Sequence, residues 1–317
     1  MSTPVATVAI PVLNGVALLA EVLDAVVAQQ VGGEVEILVC DSGSTDGSLQ
    51  VARARGARVI EIERSAFSHG GTRNLLMREA RAPVVAFLTQ DATPADNGWL
   101  AALLAGFELP GDVALVHGPY LPRPEHPVPV RRELEVFFGS LGTEAVVDRA
   151  VDDTGWHDVS SRATFFTDAN GAVARRAWER VPFPDVAYAE DRLLARRMLD
   201  AGFAKAYVPR AAVLHSHAYA PLPLLRRYFD EFRGLRETFG HVEPADPRRA
   251  LGRIRREVAA DRRWAAEHGS PNMTLSSLRH HSTRALGAYL GSRADRLPAP
   301  ARRALSLERR GSFEPVG

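Results

Sequence analysis

Val84-Val85-Ala86-Phe87-Leu88-Thr89-Gln90-Asp91-Ala92-Thr93-Pro94 sets an apolar run against an abrupt polar end and a Pro-marked loop. Such a run reads as a buried strand that delivers a carboxylate to the edge of a sheet. Ligands of open α/β sheets bind at the carboxyl ends of the strands, so Asp91 is a candidate ligand for a metal or a metal–diphosphate complex. An isolated Asp in a turn is the commoner explanation of the same pattern. The weight of the reading comes from what leads up to it.

Upstream, Val5-Ala6-Thr7-Val8-Ala9-Ile10-Pro11-Val12-Leu13-Asn14-Gly15 is a near-continuous apolar strand stopped by Asn-Gly. Leu18, Leu19, Val22, Leu23, Val26 and Val27 follow at helical spacing, and Val35-Glu36-Ile37-Leu38-Val39-Cys40 is a second buried strand. This β-α-β order with crossovers of helical length predicts a parallel sheet. The second strand runs into Asp41-Ser42-Gly43-Ser44-Thr45-Asp46-Gly47-Ser48. There Asp41 can accept a hydrogen bond from a base N–H or a ribose hydroxyl, while Ser42 and Gly43 let the backbone approach closely. A polar helix cap explains the same residues. A third strand, Ala57 to Ile62, leads to Phe67-Ser68-His69-Gly70-Gly71-Thr72-Arg73-Asn74, a loop in which Arg73 is placed to meet a diphosphate or a base. Neither GxGxxG nor a Walker-type GK[ST] loop is present.

Four ordered stretches, Ile10 to Asn14, Asp41 to Asp46, Phe67 to Asn74 and Leu88 to Ala92, together resemble the signatures of family 2 glycosyltransferases of the GT-A fold. The pairing of F-x-H-G-x-x-R-N with T-Q-D-A is similar to the bacterial rhamnosyltransferase branch, whose donor is dTDP-β-L-rhamnose. The resemblance covers about residues 5–235. It implies a Rossmann-like α/β domain with a mostly parallel central sheet and flanking helices over residues 1–220, followed by a helical C-terminal extension over 221–317. It also implies that Pro11, Leu13, Asn14, Asp41, Ser42, Gly43, Arg73 and Gln90 bind the nucleotide. One departure stands out: many GT-A enzymes carry Asp-x-Asp or Asp-Asp at the metal strand, and here Gln90 occupies the first acidic position. A single carboxylate holds a divalent ion weakly, so a further ligand is expected downstream.

Downstream, the strand-like run Thr164 to Val173 contains Asp168 and Asn170, which in the resembled family face the donor sugar and the acceptor, as does His69. Glu190-Asp191 opens a helix marked by Leu193, Leu194, Met198 and Leu199, where the helix dipole alone favours carboxylates. By resemblance this pair supplies the catalytic base, the role falling to Asp191. A strand through Val213-Leu214 ends in His215-Ser216-His217, and the two imidazoles, at i and i+2, point to opposite faces of an extended segment. In many GT-A enzymes a C-terminal His completes the metal shell, so the resemblance implies His215 as the additional ligand for Mg²⁺ or Mn²⁺, with His217 next.

Residues 1–220 hold 20 basic and 27 acidic side chains, and residues 221–317 hold 19 and 11, with arginine making up 38 of the 39 basic residues. The basic end is expected to meet anionic material or to reflect an arginine-rich composition; no nucleic-acid partner is expected. Residues 222–239 set Leu225, Tyr228, Phe229, Phe232, Leu235 and Phe239 against a charged face, and arginine-flanked apolar positions continue through Leu251, Ile254, Val258, Leu275, Leu278, Leu286 and Leu290. Three uses are open to such helices: contact with a bilayer surface, packing on the catalytic domain, or a homodimer. Cys40, the single cysteine, excludes an internal disulfide and fits a small core residue in a reducing compartment. No apolar stretch approaches the roughly 20 residues of a membrane span, and Met1-Ser2-Thr3-Pro4 does not open a signal peptide. The expected location is cytoplasmic, free or peripheral on the inner face of the plasma membrane.

The expected activity is inverting transfer of L-rhamnose from dTDP-β-L-rhamnose to a hydroxyl of a cell-surface glycan or a polyprenyl-diphosphate-linked acceptor. A UDP-sugar donor and a nucleotide-binding module without turnover are the alternatives. A nucleotidyltransferase is disfavoured by the lack of a Gly- and Lys-rich loop near the first strand.

Overall fold

The computed structural model describes residues 3–149, 165–271 and 273–309. In chain order the elements are β1 (Ala6–Val12), α1 (Val16–Val27), β2 (Val35–Asp41), α2 (Ser48–Ala54), β3 (Arg58–Glu61), α3 (His69–Glu79), β4 (Val84–Leu88), β5 (Thr93–Pro94), α4 (Trp99–Gly106), β6 (Val113–His117), β7 (Tyr120–Leu121), α5 (Val128–Ser140) and β8 (Val146–Asp148). They continue with β9 (Asn170–Ala174), α6 (Arg175–Trp178), α7 (Glu190–Asp200), β10 (Ala204–Tyr207), β11 (Val213–Leu214), α8 (Pro221–Phe239), α9 (Pro247–Glu267), α10 (Thr274–Gly291) and α11 (Ala299–Leu305). The chain divides into two compact units, residues 1–121, 138–186 and 190–215 in one and residues 122–137, 187–189 and 216–317 in the other.

The first unit is built on an eight-stranded sheet in the order β3-β2-β1-β4-β9-β6-β10-β8. β1 pairs parallel with β2 and β4, and β2 with β3, as expected of strands joined by helical crossovers. β9 runs antiparallel between β4 and β6. Of the run expected from Thr164 to Val173, the strand itself starts at Asn170, and Thr164 lies outside the described residues. The period-2 rule assigns side chains to layers. Ala86 and Leu88 face a core with α1 and α4, through Leu19, Leu23, Trp99 and Leu103, while Val85 and Phe87 face a second core with α3 and α7, through Leu76, Met77, Leu194 and Met198. Burial on both faces explains why these strands read as unbroken apolar runs. Cys40 lies in this second core, and burial pushes its thiol up to about 11.

Two consequences of the topology place the site. The carboxyl ends of β1, β2, β4 and β6 share one edge of the sheet, and β9, being antiparallel, brings its amino end there through the Leu88↔Asn170 pairing. A small sheet β5-β11-β7 then holds Val213 against Pro94 and Tyr120 just beyond β4.

The second unit packs α10 against α8 and α9. Gly287 and Gly291 allow the closest approach, since a Cβ on them would lie 2.6 Å from the Leu225 carbonyl and 2.3 Å from the Phe229 carbonyl. A buried ionic network joins α5, α9 and α10. Arg132 pairs with Glu257 and Asp261, His281 Nε2 lies 2.7 Å from the Asp261 carboxylate, and Arg284 donates to Glu133 at 2.6 Å. Burial opposes ionisation of Glu133, but Arg284 and His280 outweigh it and hold the carboxyl at about 2. Asp261 is likewise held below the ordinary range, burial being outweighed by the bonds from His281 and Arg132.

Candidate active site at the carboxyl edge of the sheet

The turns after β1 and β2 are laced to each other. Asn14, in the left-handed region with φ 49°, donates its N–H to Ser44 Oγ at 2.8 Å and accepts from the Thr45 N–H at 2.9 Å. The Gly15 N–H donates to Ser48 Oγ and the Val16 N–H to Asp46. Asp41 closes its own turn, one carboxylate oxygen accepting from the N–H groups of Gly43 and Ser44, both at 2.9 Å. Gly43 supplies the φ of 95° that this turn needs. The other Asp41 oxygen is buried and has no hydrogen-bond partner among the described residues. A buried lone acceptor costs on the order of 1–3 kcal/mol, and a base N–H or a ribose hydroxyl would satisfy it. Ser42 is turned inward, its hydroxyl on the Val12 carbonyl at 3.2 Å. Pro11 and Leu13 line the β1 end, half-buried.

Gln90, expected at the nucleotide, is committed elsewhere. Its amide accepts from the Leu13 N–H at 2.8 Å and donates to the Leu13 carbonyl at 3.1 Å. An acid at this position could only accept, so the amide is the group that locks the β1 end to the β4 end. Asn170, expected at the sugar, is fully buried: its amide donates to the Pro119 and Ala211 carbonyls and its oxygen accepts from Trp99 Nε1 at 2.8 Å. It joins strands rather than facing a substrate.

Arg73 lies in the interior. It is 4% exposed, and both edges of its guanidinium are taken: Nη2 and Nε engage Asp168, the former at 2.7 Å, and Nη1 lies 3.2 Å from Glu190 Oε1. It therefore assembles carboxylates. The local sequence explains its placement. Ser68 caps α3 by accepting from the Gly71 N–H, and Gly70 is required because a Cβ there would lie 2.0 Å from the Pro184 carbonyl. One turn later Arg73 enters the interior, and Asn74 fastens the helix to Phe183 through both its N–H and carbonyl, at 3.0 and 2.9 Å. Asn74 is a fastening residue to which the sequence reading gives no role, although it closes the F-x-H-G-x-x-R-N run.

Around Arg73 stand three carboxylates, Asp168, Glu190 and Asp191, with His69 Nδ1 3.9 Å from Glu190. One guanidinium cannot balance three negative charges in a buried site. The surplus is relieved by protons. Burial and then Glu190 push the Asp168 carboxyl up against the pull of Arg73. Asp191, at the first turn of α7, is pushed up to about 7 by burial and by the Asp168 charge, while the Arg192 charge and N–H act the other way. As a residue Asp191 is half-buried.

Asp91 lies within the Thr89–Ala92 turn at the end of β4, and His215 follows β11, its N–H bound to the Leu121 carbonyl at 3.0 Å. Asp91 Oδ1 and His215 Nδ1 are 3.5 Å apart, with the Tyr120 ring edge-on to the imidazole. That spacing suits two ligands of one cation, and an oxygen–nitrogen donor pair suits Mg²⁺ or Mn²⁺. His217 belongs to the second unit, where it stacks on Tyr219 with ring centroids 5.2 Å apart.

Sheet order, laced nucleotide-sized turns and a carboxylate cluster on one edge are the features of a GT-A glycosyltransferase. Residues 7–170 match the model of Glycosyl transferase family 2, and the chain belongs to that family. It is 32% identical over 229 residues to the O-antigen chain rhamnosyltransferase RfbN of Salmonella typhimurium, covering 71% of this chain and 70% of the relative. It is 33% identical over 199 residues to the O-antigen chain rhamnosyltransferase WbaN of Salmonella anatum, covering 62% and 61%. Among solved structures it resembles the mannosyltransferase PcManGT of Pyrobaculum calidifontis, in complex with GDP-Man and Mn²⁺, with a TM-score of 0.57 at 20% identity over 93% of this chain and 87% of the other. S. aureus TarS 1–349 in complex with UDP-GlcNAc gives 0.53 at 15% identity over 92% and 91%. These likenesses show the fold. No helix among the described residues is long and apolar enough to cross a membrane.

Proposed function

We propose that the protein transfers L-rhamnose from dTDP-β-L-rhamnose, with inversion, to a hydroxyl of a growing cell-surface glycan carried on a polyprenyl diphosphate. The sugar and the glycan class are supported by the names of the two Salmonella relatives. The observation that carries the chemistry is the unbalanced cluster of Asp168, Glu190 and Asp191 around Arg73, with Asp191 poised near neutrality.

In this reaction the Asp191 carboxylate takes the proton of the acceptor hydroxyl as its oxygen forms a bond to the anomeric carbon. The bond from that carbon to the β-phosphate oxygen breaks on the opposite face, and its electron pair leaves with dTDP. A base whose pKa lies near the working pH gives roughly 10²–10⁴-fold in rate. Glu190 and Asp168, tied by Arg73, fix the position of α7 and keep the proton of the cluster local. Asp41 receives the base or ribose through its buried oxygen, and Ser42, Gly43, Pro11, Leu13 and Asn14 shape the pocket floor around it. Asp91 and His215, with His217 the next ligand offered by sequence, would hold a divalent ion that neutralises the charge developing on the departing diphosphate.

The test is a hydrolysis and transfer screen over dTDP- and UDP-sugars with Mg²⁺, Mn²⁺ or chelator. Turnover of dTDP-rhamnose that chelator lowers by at least about tenfold supports the reading. A preference for a UDP-sugar overturns the donor, and turnover indifferent to chelator overturns the metal.

A further inference from the structure

α10 is built the wrong way round for a helix that meets water on its open side. Its packed face carries small or polar residues, Ser277, His281, Gly287, Ala288 and Gly291, all buried. At the 275, 278, 286 and 289 positions, which recur at helical spacing on the opposite side, Leu275 is 79% exposed, Leu278 44%, Leu286 49% and Tyr289 39%. The glycines explain the packed side, because they let the backbone of α8 come close. No contact among the described residues of the second unit explains the other side. Isolated exposed apolar residues are ordinary, but a stripe of four along about four turns marks a contact surface. α8, the helix with the stronger amphipathic pattern, does not offer this surface, since Phe229 and Leu235 are buried in the unit.

The charge around the stripe selects its occupant. Between residues 247 and 309 there are fourteen arginines and five acidic residues. Arg255, Arg262, Arg263 and Arg279 are exposed on α9 and α10, and exposed Leu251 shares a helical stripe of α9 with Arg255 and Arg262. A second copy docking on the same surface would press two arginine-rich faces together, which like charge disfavours. An anionic bilayer offers acyl chains to the leucines and headgroups to the arginines. Tyr289, with Arg293 stacked 4.0 Å over its ring, has the apolar body and polar tip of an interfacial side chain.

We infer that the exposed Leu275–Leu278–Leu286–Tyr289 stripe of α10, with the exposed arginines of α9 and α10, seats this protein on anionic lipid surfaces. The inference stands apart from the donor and the base, because it is read without substrate. The probe is the full chain floated with vesicles of phosphatidylcholine alone or with one third phosphatidylglycerol, at low and high salt. Binding to the anionic vesicles should be at least about tenfold tighter, weaken in 0.5 M salt, and fall at least about tenfold in Leu278→Asp and Leu286→Asp while their circular dichroism is unchanged. If either variant misfolds, the wild-type difference between the two vesicles still decides. Equal or absent binding to both overturns the inference. So does a concentration-dependent dimer that Leu286→Asp abolishes, since the stripe would then belong to a second copy.

Discussion

Each unit of this molecule buries a cluster of ions, and the two clusters are balanced differently. In the second unit Arg132 and Arg284 meet Asp261, Glu257 and Glu133 with His281 as a further donor, and the carboxyls of Glu133 and Asp261 are held low. In the first, one arginine faces three carboxylates, and Asp168 and Asp191 are pushed up. Two arginines against three carboxylates keep the acids ionised and fix geometry; one arginine against three leaves a group whose proton can move near neutral pH. On the proposed function, the contrast is that between a structural network and a site for acid–base work.

The largest effect should come from removing the surplus. Asp191→Asn should lower turnover about 10²–10⁴-fold while leaving nucleotide affinity nearly unchanged by calorimetry. The same variant should melt higher than wild type at pH 8 and converge with it in acid. The folded chain keeps the Asp191 proton up to about pH 7, whereas the unfolded chain releases it near 3.8, so the ionisation penalty builds between those values and is complete above them. Loss of stability at pH 8 would mean that Asp191 is structural. In the second unit's cluster, Arg132→Met should leave Asp261 buried without its cation and cost about 3–5 kcal/mol, read as faster hydrogen exchange of α9 amides, with the donor affinity untouched. Protection equal to wild type would erase the distinction between the clusters. The smallest effect is expected at Asp41→Asn, which should weaken nucleotide binding by about 1–3 kcal/mol with little change in kcat. A fall in kcat at constant affinity would take Asp41 out of the nucleotide pocket.

Much of the first unit was legible because its strands are buried on both faces and end in polar turns. Val84–Leu88 announces a central strand, and Asp41 and Asp91 end up at the sheet edge that their place after apolar runs predicts. Partnerships were not legible. Arg73 and Asp168 are 95 residues apart, and nothing local says that a guanidinium in a glycine-rich run turns inward. Gln90 looked like a lost metal ligand, but its amide answers both main-chain groups of Leu13, a need visible only once β1 and β4 are neighbours. The partners of Asn170 are likewise visible only once the strands are neighbours. In the second unit, amphipathic periodicity drew attention to α8 and to Leu275, Leu278 and Leu286 of α10, but not to which side of α10 is open: backbone-close packing uses its small residues and leaves the leucines outside. The second unit also recruits residues 122–137 and 187–189, which composition could not separate from the segment around them.

The most direct test is the pH dependence of kcat/KM for hydrolysis of dTDP-β-L-rhamnose by the full chain, beside that of Asp191→Asn. The account predicts an ascending limb with its midpoint near 7 in the wild type, and a slow, flat profile in the variant. A variant that keeps its rate within about tenfold and the same midpoint would show that the proton is taken by another group.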